Sequence, residues 1–462
     1  MALIKSISGI RGTIGGTIGE GLSPVDIVKF TAAYAVWVKQ KTPNKKCKVV
    51  VGRDARISGE MVNYLVNGTL MGMGVNIVHI GLAATPTVEM AVIEENADGG
   101  IILTASHNPK EWNALKLLNE KGEFISDIDG KEILKIAEND SFEFSTVDEL
   151  GKEQFDNSFT DKHIDKILKL PLVDVNAIKK ANFKIVIDAV NSVGGTSIPL
   201  LLEKLGVQKV IKIHCNPNGL FPHNPEPLPE HLTDLSKTVV ENGATLGFVV
   251  DPDVDRLAIV NEDGTMFGEE YTLVAVADYV LKNIKGNTVS NLSSTLALKD
   301  VTENHGCSYS ASAVGEVNVV TEMKRQNAVI GGEGNGGIIY PELHYGRDSF
   351  VGIALFLTHL AKSGKKCSEL RASYPNYFIS KNKIQLQPQT NVDELLVKIQ
   401  EKFKTAEIST IDGVKINFHK SWVHLRKSNT EPIIRIYAEN SSEEAANNLA
   451  MEMMQEIKNL IH

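Results

Sequence analysis

Cysteine is scarce in this chain: Cys47, Cys215, Cys307 and Cys367 are the only four among 462 residues. None forms a CxxC pair, so neither a thiolate zinc site nor a disulfide framework is expected, and a reducing compartment fits best. Excess positive charge is also missing, with a net charge of −9. Proteins that track nucleic-acid phosphates are usually basic, so a general nucleic-acid binder is disfavoured; a small phosphorylated ligand needs only a local positive pocket. Long apolar runs are absent. The most apolar stretch, Val351 to Leu360, is too short for a bilayer span and contains His359. The N-terminal Met-Ala-Leu-Ile-Lys-Ser-Ile-Ser-Gly-Ile-Arg lacks the apolar centre of a secretory signal. A cytoplasmic protein with no membrane partner is expected.

What is present is an ordinary soluble composition, 42% hydrophobic and 23% charged. The length allows about three domains of ~150 residues or four smaller ones. Strand and helix patterns alternate. Ser23-Pro24 opens a helix as cap and first turn, and apolar periodicity carries it to about Lys39. Short apolar runs at Lys48 to Val51, Asn76 to Ile80, Gly100 to Leu103, Phe183 to Asp188, Leu246 to Val250, Thr288 to Leu292 and Ala328 to Ile330 read as strands. Such alternation predicts mainly parallel sheets with helical crossovers. The last ~90 residues instead read as an α+β unit, with strands at Lys381 to Leu386, Gly413 to Phe418 and Ile433 to Ala438. The fold class is α/β: three similar α/β domains with mixed, mainly parallel sheets (1–150, 151–256, 257–370) and a smaller C-terminal α+β domain (371–462).

Five segments carry chemistry. Thr104-Ala105-Ser106-His107-Asn108-Pro109 follows an apolar run, and Lys116 comes ten positions after the serine. Serine needs activation, or prior modification, to act in group transfer, so this loop reads as a phosphoryl carrier. His107 adjoins Ser106, but neighbouring residues rarely face each other in an extended loop, and no G-x-S-x-G elbow surrounds the serine; His107 is not expected to be its base. Asp251-Pro252-Asp253-Val254-Asp255-Arg256 places three carboxylates at alternate positions beyond a buried strand. In extended chain they would point one way, and gathering that charge is costly without a cation, for which Mg²⁺ suits hard oxygen ligands, with Ca²⁺ the weaker option because no twelve-residue calcium loop is present; the other reading is a solvated acidic turn.

The other three are less specific alone. Arg426-Lys427-Ser428-Asn429-Thr430-Glu431-Pro432 offers cations, hydroxyls and backbone N–H groups, the inventory of a phosphate cradle, or else a polar turn. Gly331 to Gly337 carries Glu333, able to accept from sugar hydroxyls, and Asn335; it lacks the Lys-Ser or Lys-Thr of a P-loop and could be a plain flexible turn. Arg11 stands in a tight turn, Gly9-Ile10-Arg11-Gly12, that could present it to a phosphoryl group or simply expose a charge.

Taken in order, these segments resemble the α-D-phosphohexomutase superfamily over essentially the whole chain. The family's arginine turn, phosphoserine loop, metal loop, sugar loop and phosphate loop match Ile10 to Thr13, Thr104 to Pro109, Asp251 to Arg256, Gly332 to Gly337 and Arg426 to Pro432. The resemblance implies four domains around a central cleft and exchange between hexose 6-phosphate and hexose 1-phosphate through a hexose 1,6-bisphosphate. It implies a phosphoserine at Ser106 and Mg²⁺ held by Ser106, Asp251, Asp253 and Asp255. Lys116 is the implied acid and base, provided its pKa is lowered, with Arg11, Arg256 and His107 beside it. Glu333 and Asn335 would contact the sugar; Arg426, Ser428, Asn429, Thr430 and Arg435 would hold the non-reacting phosphate. Pro252 and Val254 replace the family's metal-loop glycines, Ala114 a glycine before the lysine, Asn335 a serine and Gly337 a histidine. The sugar and phosphate loops are most similar to the phosphoglucosamine mutase branch, implying glucosamine 6-phosphate as substrate, with phosphomannomutase/phosphoglucomutase activity the alternative. A Mg²⁺-dependent phosphatase and a non-catalytic sugar-phosphate sensor are the readings from other classes. The protein is expected to be a monomer or homodimer.

Overall fold

A computed structural model describes residues 2–6, 9–43, 45–387, 390–427 and 433–461. The chain divides into two compact units, Met1–Thr272 with Asn335–Ser368, and Leu273–Gly334 with Glu369–His462. Among the described residues no helix is long and apolar enough to cross a membrane. The architecture is three α/β domains with mixed, mainly parallel sheets and a C-terminal domain built on an antiparallel sheet.

In the first unit, a seven-stranded sheet runs Leu3–Ser6, Gly9–Thr13, Trp112–Leu118, Gly99–Leu103, Lys48–Arg53, Asn76–Leu82, Glu153–Phe155. Its first four strands are joined antiparallel and the rest parallel. The expected helix spans Pro24–Lys41; Ser23 Oγ accepts from Asp26 N and the Asp26 carboxylate accepts from Ser23 N, a capping box. Its Tyr34 and Trp37 are buried in the core with Val49, Val51, Ile101 and Leu117.

The second sheet of this unit runs Leu257–Asn261, Leu246–Val250, Lys184–Asp188, Lys209–Ile213. Leu257–Asn261 returns antiparallel against Leu246–Val250, so this sheet continues past residue 256. The aspartate-rich segment is therefore the loop of a hairpin. All five residues of each of these two strands are buried, which is why no polar alternation marks the second one in the sequence.

In the second unit, Tyr309–Ser312, Asn287–Asn291 and Ala328–Glu333 form a parallel array. Five antiparallel strands, in the order Phe378–Gln385, Ile433–Asn440, Ser421–Lys427, Val414–Phe418, Glu407–Ser409, make the terminal sheet. Its apolar face buries Ile384, Val414, Ile416, Val423, Leu425, Ile434 and Ile436 against Leu395 and Ile399 of helix Val392–Lys402 and Ala450, Met453 and Ile457 of helix Glu443–Ile461.

Candidate active site

Ser106 sits in the loop of the hairpin formed by Gly99–Leu103 and Trp112–Leu118. Ile102 pairs with Lys116 in that hairpin, which explains how a lysine ten residues downstream returns to the serine. Gly9 is required nearby: its φ is +108°, and a Cβ there would lie 2.1 Å from the Leu115 carbonyl oxygen. Ser106 itself has φ +50°, a left-handed conformation that is uncommon for non-glycine residues. Its amide donates to Thr104 Oγ1 (2.9 Å) and its hydroxyl to Asp251 Oδ2 (2.7 Å). The left-handed turn also swings His107 Nδ1 to 3.3 Å from Ser106 Oγ, a contact that extended-loop geometry would forbid. Burial, with Arg256 and Arg11 adding to it, holds the His107 pKa well below the ordinary imidazole value, so the ring is neutral at neutral pH.

The aspartates converge, but not by extended alternation. Val254 has φ +62° and its amide donates to the Asp251 carbonyl at 3.1 Å, so the segment is a tight turn. The strained residue is one that stands in place of a family glycine. Asp251 Oδ1 accepts from the amides of Asp255 (3.2 Å) and Arg256 (3.1 Å), closing the turn onto its first carboxylate. Asp253 Oδ2 accepts from Thr85 Oγ1 and Lys116 Nζ, both at 2.7 Å. Asp255 Oδ2 accepts from Arg347 Nη2 at 2.6 Å. All three aspartates are fully buried.

Two oxygens of this cluster, Asp253 Oδ1 and Asp255 Oδ1, are buried without a hydrogen-bond partner. Each aspartate offers one oxygen within 4.8 Å of the others. Buried carboxylate oxygens left unpaired are costly, and three converging hard donors fit Mg²⁺. Burial, then repulsion from Asp255 and Asp253, pushes the Asp251 pKa well above the usual carboxylate range in the absence of a cation.

Lys116 differs from expectation. Burial alone would lower its pKa, but Asp253 and Asp255, at 2.7 and 3.6 Å, outweigh burial and raise it. The lysine is cationic while those carboxylates carry their full charge. The same contacts outweigh burial at Asp253 and hold its carboxyl far below the usual range.

Several positioning residues carry no motif signature. Arg56, whose side chain is fully buried, pairs with Asp54 Oδ2 at 3.0 Å. Its Nη atoms donate to the carbonyls of Ser106, Asn108 (2.7 Å), Pro109 (2.8 Å) and Trp112 (3.1 Å), so one guanidinium braces the whole serine loop. Arg11 Nη1 donates to Asn108 Oδ1 at 2.8 Å. Ser192 Oγ donates to the Pro252 carbonyl at 2.7 Å and accepts from the Ala55 amide. Arg256 Nη1 approaches Glu226 Oε1 at 3.4 Å. The one available signal was Gly-Arg-Asp, which occurs at Gly52-Arg53-Asp54 and again at Gly346-Arg347-Asp348 beside a strand end and a helix cap.

Arg347 also explains an exchange in the sugar loop. A Cβ at Gly337 would lie 2.3 Å from Arg347 Cδ, so the arginine fills the space that a side chain at 337 would take. Gly337→His is expected to dislodge Arg347 from Asp255 and lower kcat/KM on the order of 100-fold, the usual scale for ångström-level misplacement; steady-state kinetics at saturating Mg²⁺ checks it. Asn335 Oδ1 accepts from the Gly337 amide at 3.2 Å, shaping the turn.

In the second unit, buried Glu333 accepts at Oε1 from Asn291 Nδ2 (2.8 Å) and the Gly315 amide (3.0 Å). Ser294 Oγ accepts from the Gly334 amide. The segment holding these donors is itself held by the terminal sheet: Lys415 Nζ donates to the Leu292 carbonyl, Ser293 Oγ meets His424 Nδ1 at 2.9 Å, and Glu439 accepts from the Leu296 amide at 2.8 Å and Trp422 Nε1 at 2.9 Å. Burial raises the Glu439 pKa from 4.5 to about 7. A carboxyl raised in the folded state binds its proton more tightly there than in the unfolded chain, so its contribution is complete below 4.5 and lost as pH rises through 7. Unfolding free energy is expected to fall by about 3 kcal/mol across that window, and Glu439→Gln to flatten this part of the profile in denaturant titrations.

Arg426 and Arg435 are directly paired across antiparallel strands, on one face. Like charges placed opposite each other repel, an arrangement that an anion relieves. Arg426 Nε also meets Asp412 Oδ2 at 2.8 Å. Ser428, Asn429 and Thr430 lie outside the described residues.

Known proteins share this organisation throughout. Residues 3–144, 161–264 and 268–377 match phosphoglucomutase/phosphomannomutase alpha/beta/alpha domains I, II and III, and residues 385–456 match the C-terminal domain of the same family. The phosphoglucomutase/phosphomannomutase of Thermococcus kodakarensis is 35% identical over 94% of this chain and 95% of its own. The phosphoglucosamine/phosphogalactosamine mutase of Sulfurisphaera tokodaii is 33% identical over 98% of both. A phosphoglucomutase/phosphomannomutase family protein from Burkholderia thailandensis superimposes with a TM-score of 0.85 at 25% identity, covering 99% of this chain and 97% of that one. The chain belongs to the phosphoglucomutase/phosphomannomutase superfamily. It is a phosphohexomutase, an intramolecular phosphotransferase acting on a phosphosugar.

Proposed function

We propose that the chain interconverts glucosamine 6-phosphate and glucosamine 1-phosphate, with Ser106 carrying the phosphoryl group. The observation that carries the serine's role is its hydroxyl at 2.7 Å from Asp251, inside a cluster whose buried oxygens Asp253 Oδ1 and Asp255 Oδ1 lack partners. Phosphoserine Ser106 loses its phosphoryl group to O1 of the 6-phosphosugar: the P–Oγ bond breaks and the P–O1 bond forms. The sugar turns over as the 1,6-bisphosphate, and Ser106 regains a phosphoryl group from O6, leaving the 1-phosphosugar. Charge in such transfers is dispersed over the phosphoryl oxygens, so positioning and electrostatics dominate. Mg²⁺ held by Asp251, Asp253 and Asp255 would offset phosphoryl charge and weaken the aspartates' hold on the Lys116 proton. Lys116, after releasing its own proton to solvent, takes the hydroxyl proton in the first transfer and returns one in the second.

Arg11 and Arg256 add positive charge, and Arg56 and Arg347 hold the serine loop and Asp255 in place. His107, neutral and next to Ser106 Oγ, orients that oxygen. Glu333 and Asn335 meet the sugar hydroxyls, and the facing pair Arg426 and Arg435, with Ser428, Asn429 and Thr430, clamps the phosphate that is not reacting.

Glucosamine is favoured by the Asn335-Gly336-Gly337 loop and by relatives named for it, such as the probable phosphoglucosamine mutase of Methanopyrus kandleri, 31% identical over 98% of this chain and 97% of its own. The Thermococcus relative, named for glucose and mannose phosphates, supports the second reading. An assay with glucosamine, glucose and mannose 6-phosphates, each primed with its bisphosphate, decides between them. The expected result is a kcat/KM at least tenfold higher for glucosamine 6-phosphate; equal or greater efficiency with glucose or mannose overturns the assignment.

A further inference from the structure

Among the described residues two clusters of ligand atoms lie apart from the aspartate turn, the buried His163, His344 and Asp348 and the partly exposed Asp188, His214 and His223; no step of the phosphoryl exchange uses the latter. Asp188 ends strand Lys184–Asp188. Its parallel neighbour Lys209–Ile213 pairs Ile213 with Asp188, so the next residue, His214, lies just past the same sheet end. His223 enters from the proline-rich loop between Pro217 and Pro229. His214 Nδ1 and His223 Nε2 both face one oxygen, Asp188 Oδ2, at 2.9 and 3.0 Å. The other oxygen, Oδ1, is engaged by the Val190 amide.

The ring orientation of His223 is informative. Its Nδ1 lies 2.8 Å from the Asn224 carbonyl oxygen, which can only accept, so Nδ1 carries hydrogen. Nε2 then either bears a second hydrogen, making the ring cationic, or points a lone pair at a carboxylate oxygen. A lone pair directed at a carboxylate is repulsive unless a cation lies between them. Holding Nδ1–H on a backbone carbonyl while Nε2 faces inward is how metal-ligating histidines are oriented. His214 Nε2 in turn faces Asp234 Oδ2 at 3.8 Å.

We propose that Asp188 Oδ2, His214 Nδ1 and His223 Nε2 bind one divalent transition-metal ion of the Zn²⁺ type, with water completing the shell. Imidazole nitrogens select such ions over Mg²⁺, which prefers oxygen. The spacing fits: with bonds of about 2.0–2.1 Å, the edges of a tetrahedral zinc site are ~3.3 Å, only slightly longer than the two contacts present. All three ligand atoms lie within 4.8 Å of one another. The histidine side chains are 22% and 15% exposed, so an ion and its water have access, while Asp188 is buried at 1%. Cys215 is not part of this cluster: its Sγ lies 3.2 Å from the Ile213 carbonyl and 3.8 Å from the Ile187 carbonyl. Bound metal would pin the root of a loop whose Phe221 packs on the Arg56 guanidinium and whose Glu226 meets Arg256.

The test is calorimetric titration of the full chain with Zn²⁺ under excess Mg²⁺, which occupies the aspartate turn. His214→Asn tolerates the left-handed backbone at position 214, where φ is +49°. His223→Gln keeps a donor toward Asp188. The proposal expects one Zn²⁺ per wild-type chain and a loss of at least ~100-fold in affinity in each variant, with circular dichroism unchanged. A variant that misfolds is replaced as a witness by the wild type with Co²⁺, whose intense visible bands must report a four-coordinate site with nitrogen ligands. No Zn²⁺ binding by the wild type under Mg²⁺, undiminished binding in the folded variants, or a Co²⁺ spectrum of six oxygen ligands overturns it.

Discussion

Ser106→Ala is expected to abolish mutase turnover, with kcat reduced by at least ~10³-fold while the fold is retained. Removal of a covalent nucleophile typically costs that much or more. Lys116 is hydrogen-bonded to Asp253, and His107 Nδ1 lies 3.3 Å from the oxygen that the substitution removes. The substitution removes one hydroxyl, leaving Asp251 Oδ2 without its 2.7 Å donor. That loss, about 1–3 kcal/mol, is offset when a cation binds the same carboxylate. Thermal unfolding with and without Mg²⁺ should therefore show a larger Mg²⁺-dependent shift in the variant. A fully active Ser106→Ala enzyme would remove Ser106 from the mechanism.

Arg56→Ala is expected to have the largest structural effect of any single substitution at the site. The guanidinium is fully buried, paired with Asp54, and satisfies four carbonyls from Ser106 to Trp112. Its removal leaves Asp54 as an uncompensated buried charge, which costs about 3–5 kcal/mol. It also frees the loop that carries the serine, so kcat should fall on the order of 100-fold in the fraction that folds. Arg56→Lys should rescue little, since an ammonium cannot replicate a planar fork with five donors. Denaturant titration and kinetics at saturating Mg²⁺ check both parts. An Arg56→Ala protein with wild-type stability and activity would show that the loop is held by other contacts.

Local pattern revealed much of the fold because many strands and helices of the α/β domains carry their own apolar runs or caps. Ser23 with Asp26 is one such cap, and the runs ending at Asp188, Val250 and Glu333 are strands that end where the chemistry begins. Long-range pairing was not legible. The strand Leu257–Asn261 belongs to the sheet before it, a fact carried by hairpin pairing across Asp251 to Arg256. The aspartates were visible, yet their convergence was assigned to extended chain, because the left-handed Val254 gives no sign of itself in a β-branched residue. Ser106 and Lys116 were visible as a pair; the hairpin that joins them was not. Arg56 and Arg347 escaped notice because a lone arginine is normally a surface residue. The sign of the Lys116 shift is not legible in the sequence either, since it depends on the 2.7 Å contact to Asp253.

The most direct test of the central claim follows the phosphoryl group itself. Full-length protein is incubated with Mg²⁺ and hexose 1,6-bisphosphate labelled in its phosphate, and the protein is then digested and its peptides mapped by mass spectrometry. Label is predicted on Ser106 alone, up to one phosphoryl group per chain, and is predicted to leave for sugar bisphosphate when unlabelled 6-phosphosugar is added. Label that appears only as inorganic phosphate, or mutase turnover with Ser106 never labelled, would contradict the account.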